Sequence, residues 1–208
     1  MEPFIQISGI AAALPQANLD TDQIMPKQFL RGIDRQGLSR GFLFDLRFHA
    51  PGREREEFVL NRAPWRSASL LLTGPNFGCG SSREHAVWGL RELGLRCIIG
   101  TTFGGIFADN CARNGVPAIS IAPSELDRLM ALAADPLQCQ MEVDLQTQTI
   151  TTPADGRALK FDFDPLRRHM LLNGLDAVGV TLQYADEIKR FEQAYDEAHP
   201  WLTSLSRV

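Results

Sequence analysis

The chain has only four cysteines in 208 residues. None form a C-x-x-C pair and no histidines gather around them, so no zinc or iron–sulfur framework is expected within the chain. Cys79, Cys97, Cys111 and Cys139 are expected to be free thiols. Cys97 and Cys139 read as core residues, and Cys79 as a small turn residue, not a nucleophile. Basic charge is also scarce. Lys and Arg number 21 against 25 Asp and Glu, a net charge of −4, which leaves no electrostatic footprint for nucleic acid. No apolar run approaches the roughly 20 residues that span a bilayer. The opening MEPFIQIS lacks the basic stretch and long apolar core of a signal peptide. A cytoplasmic location, without membrane or nucleic-acid contact, is the expectation. There is no phosphate loop ending in Gly-Lys-Ser/Thr and no G-x-S-x-G elbow. Gly78-Cys79-Gly80 begins like a dinucleotide fingerprint but has Arg83 at the third glycine position. Internal repeats and low-complexity linkers are missing, so residues 1–208 are expected to form a single domain.

What is present concentrates in NFGCGSSREHA, Asn76 to Ala86. The apolar run SASLLLT before it reads as a strand, and the pattern after it as a helix over 82–93 that stops at Gly94. Ser81 and Glu84 have capping-box spacing. Gly78 and Gly80 permit a sharp turn with backbone N–H groups close to a ligand. The expected product is a helix N-terminus on which two serines and Arg83 converge, an anion site with a possible base. Strand–glycine turn–capped helix is also a common structural unit, in which Ser81 is a cap and nothing more.

Around this motif the chain alternates. A strand is expected at 4–14, then strands 67–73, 96–100 and 117–121 alternate with helices 82–93, 104–114 and 123–134. This is a βαβαβα run and implies an α/β fold with a parallel sheet. Short strands over 140–163, a helix after Asp164-Pro165 ending at Asn173-Gly174, and an amphipathic helix over 184–198 follow. The Ile188, Phe191, Tyr195 stripe of that last helix is expected to pack within the chain. Asp20 and Asp22 lie in a turn-rich segment, as turn caps or as metal ligands. Residues 31–41, with three glycines and three arginines, read as a mobile basic loop that is either solvated or recognises an anion.

The segments NLDTDQIMPKQFL, FVLN, NFGCGSSREHAVW, FGGIFADNCARNG and RRHMLLNGLDAVGVTLQ together resemble the small subunits of bacterial 3-isopropylmalate dehydratase, which correspond to the swivelling C-terminal domain of aconitase. The resemblance covers nearly the whole chain. It implies an aconitase-like swivelling β/β/α domain with additional short strands. It implies a hydro-lyase of leucine biosynthesis that isomerises 2- and 3-isopropylmalate, a small hydroxydicarboxylate, by dehydration and rehydration, and that is active only with a large subunit. A 4Fe-4S cluster held by three cysteines of that large subunit acts on the hydroxyl as a Lewis acid; no metal is expected in this chain. Ser81 matches the family's serine base, Arg83 the arginine holding a substrate carboxylate, and Asp22 an acidic residue near the active site. Ser82 is expected to donate to substrate. Arg35, with Arg31 second, is expected to contact a carboxylate from the loop, and Ile33 and Leu38 the alkyl group. His85 is expected to be a packed structural residue. The loop departs from the family's frequent Val-Thr-Arg-Thr-Gly-Phe, reading Ile33-Asp34-Arg35-Gln36-Gly37-Leu38. This keeps citraconate/methylmalate or homoaconitate substrates as alternatives. A non-catalytic anion- or RNA-binding module is a further one.

Overall fold

The computed structural model describes residues 1–30, 36–80 and 82–203. Seven strands form one sheet in the order β6-β5-β4-β1-β7-β8-β9. The chain enters through the central strand β1 (Gln6–Leu14), which is followed by the short helices α1 (Thr21–Ile24) and α2 (Phe44–Arg47) and a two-stranded ribbon, β2 (Phe48–Ala50) with β3 (Arg53–Glu54). The expected βαβαβα run comes next: β4 (Leu70–Thr73), α3 (His85–Glu92), β5 (Cys97–Gly100), α4 (Gly105–Arg113), β6 (Ala118–Ser120) and α5 (Pro123–Ala134). β1, β4, β5 and β6 pair in parallel. β7 (Gln140–Asp144), β8 (Thr149–Thr152) and β9 (Arg157–Lys160) extend the other side of β1 as an antiparallel meander. Helices α6 (Pro165–Asn173), α7 (Ala177–Leu182), α8 (Ala185–Ala198) and α9 (Pro200–Thr203) end the described chain. None is long and apolar enough to cross a membrane.

The parallel strands are apolar on both sides because both faces of the sheet are covered. Alternation along each strand sends successive side chains to opposite cores. Leu71, Ile98 and Ala12 pack with Val87 and Leu90 of α3 and Phe107 and Cys111 of α4. Leu70, Leu72, Cys97, Ile99 and Ala11 pack with Leu126 and Leu129 of α5 and Leu171 of α6.

Three expectations are corrected. Helix α3 begins at His85, not at residue 82. Its N-cap is Glu84, in helical conformation and with no capping side chain. The Glu84 carboxylate accepts a hydrogen bond from Asn114 Nδ2 at 2.7 Å; the expected capping box of Ser81 with Glu84 falls on a residue outside those described.

Second, residues 36–41 are not a free loop. The Gly37 and Ser39 N–H groups donate to the two Glu92 carboxylate oxygens at 2.5 and 2.6 Å. Arg47 donates to the Ser39 carbonyl at 2.8 Å. Leu38, expected to contact the substrate's alkyl group, is 5% exposed and packs in the core. The rest of the expected loop, including Arg31, Ile33 and Arg35, lies outside the described residues.

Third, the Ile188–Phe191–Tyr195 stripe does not pack within the chain. All of α8 is exposed, Phe191 to 68%. A helix with an apolar stripe needs a covering surface, but its pattern does not say whose.

Candidate active site

The site lies beyond the carboxyl ends of β1, β4 and β5, where open α/β sheets present ligand-binding loops. Three loops are tied together there by backbone hydrogen bonds. Gly78 N–H donates to the Leu19 carbonyl at 2.7 Å, and Thr21 N–H to the Cys79 carbonyl at 2.9 Å. Gly104 N–H donates to the Phe77 carbonyl at 2.9 Å. Asn76 N–H reaches the Thr102 hydroxyl at 2.8 Å, and its side chain reaches Asn18 Oδ1 at 2.8 Å.

The glycines have a steric reason. At Gly78 φ is +72°, and a Cβ would stand 2.2 Å from the Phe107 ring. Only glycine allows the motif to press against α4 this closely. Phe107 in turn meets Phe77 edge-to-face at 5.4 Å. Gly80, at φ +91°, turns the chain toward the serine–arginine segment.

Helix α1 is placed by a capping box. Asp20 Oδ1 accepts from Gln23 N–H at 2.8 Å, and Gln23 Oε1 from Asp20 N–H at 3.1 Å. Asp20 is thus a cap, and the D-x-x-Q spacing was its signal in the sequence. With Asp20 so occupied, Asp22 in the first turn of α1 forms an ion pair with Arg83. The Arg83 side chain is 21% exposed and that of Asp22 49%. The pairing holds the guanidinium at the protein surface, and its fork of N–H donors exceeds what one carboxylate oxygen uses. Ser82 beside it is exposed. Ser81 lies outside the described residues. His85 packs its ring against Trp88 at 4.7 Å, as a structural histidine would.

Three of the four thiols are buried and unsuited to hold a cluster. Burial pushes Cys97, Cys111 and Cys139 upward from the ordinary thiol value, so they remain protonated at neutral pH. Among the described residues no three His, Cys, Asp or Glu side chains converge on a point where a metal ion would bind.

Comparisons with known proteins show which family shares this sequence and fold. The aconitase C-terminal domain family matches residues 1–124, and the C-terminal domain family of the 3-isopropylmalate dehydratase small subunit matches residues 178–204. The chain is 52% identical over 202 residues to 3-isopropylmalate dehydratase small subunit 1 of Mannheimia succiniciproducens, covering 97% of this chain and 99% of that one. It is 47% identical over 208 residues to the small subunit from Rhodospirillum rubrum, covering all of both chains. A 3-isopropylmalate dehydratase structure from Methanocaldococcus jannaschii shares the fold, with a TM-score of 0.65 at 23% identity over 89% of this chain and 99% of that one. The glycine-turned serine–arginine motif, its carboxylate-held arginine and these full-length similarities lead to one assignment: the chain belongs to the family of 3-isopropylmalate dehydratase small subunits in the aconitase superfamily.

Proposed function

We propose that the chain supplies the base and a carboxylate-holding arginine to a hydro-lyase that interconverts 2- and 3-isopropylmalate in leucine biosynthesis, and that it turns over only when joined to a large subunit. The reaction removes a poorly acidic proton from a carbon next to a carboxylate, expels a neighbouring hydroxyl, and restores water in the opposite sense. Ser81 takes the proton. A serine alkoxide is improbable in bulk water, but a dry site lined by N–H donors and a guanidinium lowers its cost. Arg83 holds a substrate carboxylate through two parallel donors, a geometry an ammonium does not reproduce. Asp22 orients that guanidinium. Ser82 donates to substrate, and Arg35, Arg31 and Ile33 supply further contacts.

The observation that carries this reading is the Asp22–Arg83 pair. It brings two residues far apart in sequence to one exposed edge of the sheet, at the motif the family shares. Half-exposed Asp22 and exposed Ser82 leave that edge open, as expected where a large partner fills out the pocket. In the family a 4Fe-4S cluster provides the Lewis acid for the hydroxyl. The buried, protonated Cys97, Cys111 and Cys139 do not fit it, and Cys79 alone does not make up a cluster-holding set, so the cluster is assigned to the large subunit. Methylmalate or homoaconitate substrates and a non-catalytic RNA-binding role are set aside, because full-length relatives at 52% and 47% identity carry the isopropylmalate name.

The test is reconstitution of the purified chain with an isopropylmalate dehydratase large subunit under anaerobic conditions. Turnover of 3-isopropylmalate by the pair, and by neither chain alone, is the expected outcome. Turnover by this chain alone, or preference of the pair for a methyl-substituted acid, contradicts the proposal.

A further inference from the structure

Helix α3 carries the segment 82–84 at its N-terminal end, yet the side chain of its N-cap, Glu84, makes no capping hydrogen bond. What fixes the segment is found on another helix. Asn114, the C-cap of α4, is 5% exposed. Its Nδ2 donates to Glu84 Oε1 at 2.7 Å and to the Asn110 carbonyl at 2.8 Å. Its Oδ1 accepts from Trp88 Nε1 at 3.1 Å. One amide therefore grips the N-cap of α3 and the residue one turn later, and is itself anchored to its own helix. The Glu84 carbonyl accepts from Val87 and Trp88 N–H at 2.9 and 3.1 Å, and the Arg83 carbonyl from Ala86 N–H at 3.3 Å. Arg83 is thus held at its side chain by Asp22 and at its backbone by a turn that Asn114 braces.

We infer that Asn114 is a positioning residue for the reaction: through Glu84 it sets where the Arg83 guanidinium stands. Its amide does a job that aspartate reverses, since a carboxylate presents an acceptor to an acceptor. The inference rests on the reading of Arg83 as the substrate-carboxylate holder. It adds a residue outside the site, chosen by no local motif.

The experiment uses the assembled two-subunit enzyme. Asn114→Asp is expected to raise KM and lower kcat, with kcat/KM falling about 10²-fold, the usual scale for a group displaced by about an ångström. The double variant Asn114→Asp with Glu84→Gln exchanges donor and acceptor across the same hydrogen bond and is expected to recover part of that loss, since the bond to the Asn110 carbonyl stays broken. Leu129→Ala, in the core on the opposite face of the sheet, controls for instability: it lowers Tm and leaves KM unchanged. Arg83→Lys is measured alongside. If Arg83→Lys has normal kinetics, the reading of Arg83 fails. If Arg83→Lys is impaired while Asn114→Asp keeps a normal KM and kcat per folded enzyme, or the double variant recovers nothing, the positioning role fails. Should Asn114→Asp not fold, Glu84→Ala cuts the same bond from the more exposed side, and a normal KM there overturns the inference.

Discussion

Replacing Asp22 by asparagine separates a catalytic from a structural role for the ion pair. The substitution is isosteric and removes only charge. Because the Asp22 side chain is 49% exposed and that of Arg83 21%, water screens the pair. Its loss is therefore expected to cost under about 1 kcal/mol of stability. In a chain of this size that is a Tm shift of roughly 2–4 °C at most. The catalytic consequence is larger. Without its carboxylate the guanidinium samples other rotamers, and the two donors no longer present a fixed fork. A misplacement of about an ångström costs about 10²-fold in rate, or about 2.7 kcal/mol of transition-state stabilisation. Thermal unfolding of the chain and kcat/KM of the assembled enzyme, measured on one preparation, give both numbers. A large Tm loss with normal kcat/KM per folded enzyme would refute the reasoning and make the pair a structural clamp.

Leu38→Ala separates a packing role from a substrate contact: stability is expected to fall by about 2–5 kcal/mol in denaturant titration, as for other buried leucines, and discrimination between isopropyl and methyl substrates to stay unchanged. A shifted substrate ratio at normal stability contradicts this. Glu92 tests the anchoring of residues 37–39 through pH. Partial burial opposes ionisation, but hydrogen bonds from the Ser39, Gly37 and Leu38 N–H groups and the Ser39 hydroxyl together hold its carboxyl below the usual range. A lowered folded value means that the contribution is complete above the unfolded value of about 4.3 and is lost as pH falls through the folded one. Hydrogen exchange at the Gly37 and Ser39 amides, corrected for intrinsic rate, should lose protection on the acid side, at a pH below the unfolded value of about 4.3. Protection that shows no acid-side loss over the whole range in which the chain stays folded would contradict the anchoring.

Elements bounded by local chemistry were legible in the sequence. Helix α5 begins at Pro123 and α6 runs from Pro165 to Asn173, where the Asp164 side chain accepts from Arg167 N–H at 2.8 Å and Gly174 takes the left-handed conformation. The motif glycines were legible because their turns are local. Where long-range partners decide, the reading went astray. The pattern suggests a helix from residue 82, but α3 begins at His85, with the Glu84 carboxylate bonded to Asn114, thirty residues on. The glycines and arginines of 31–41 suggest an open loop, but Glu92 and the core claim Leu38 and its neighbours. The period of α8 shows an apolar stripe and cannot show that none of the described residues covers it. Asp22 and Arg83 were each legible through the family resemblance, and their meeting required the fold.

The central claim, that this chain brings the base to a two-subunit active site, is tested most directly by Ser81→Ala in the reconstituted enzyme. Removing a general base typically costs about 10²–10⁴-fold in rate, whereas losing a helix cap costs about 1 kcal/mol of stability. The account predicts that kcat for 3-isopropylmalate falls by at least about 10²-fold while the subunits still assemble and Tm moves by only a few degrees. A variant that keeps near-normal kcat and merely melts earlier would contradict it.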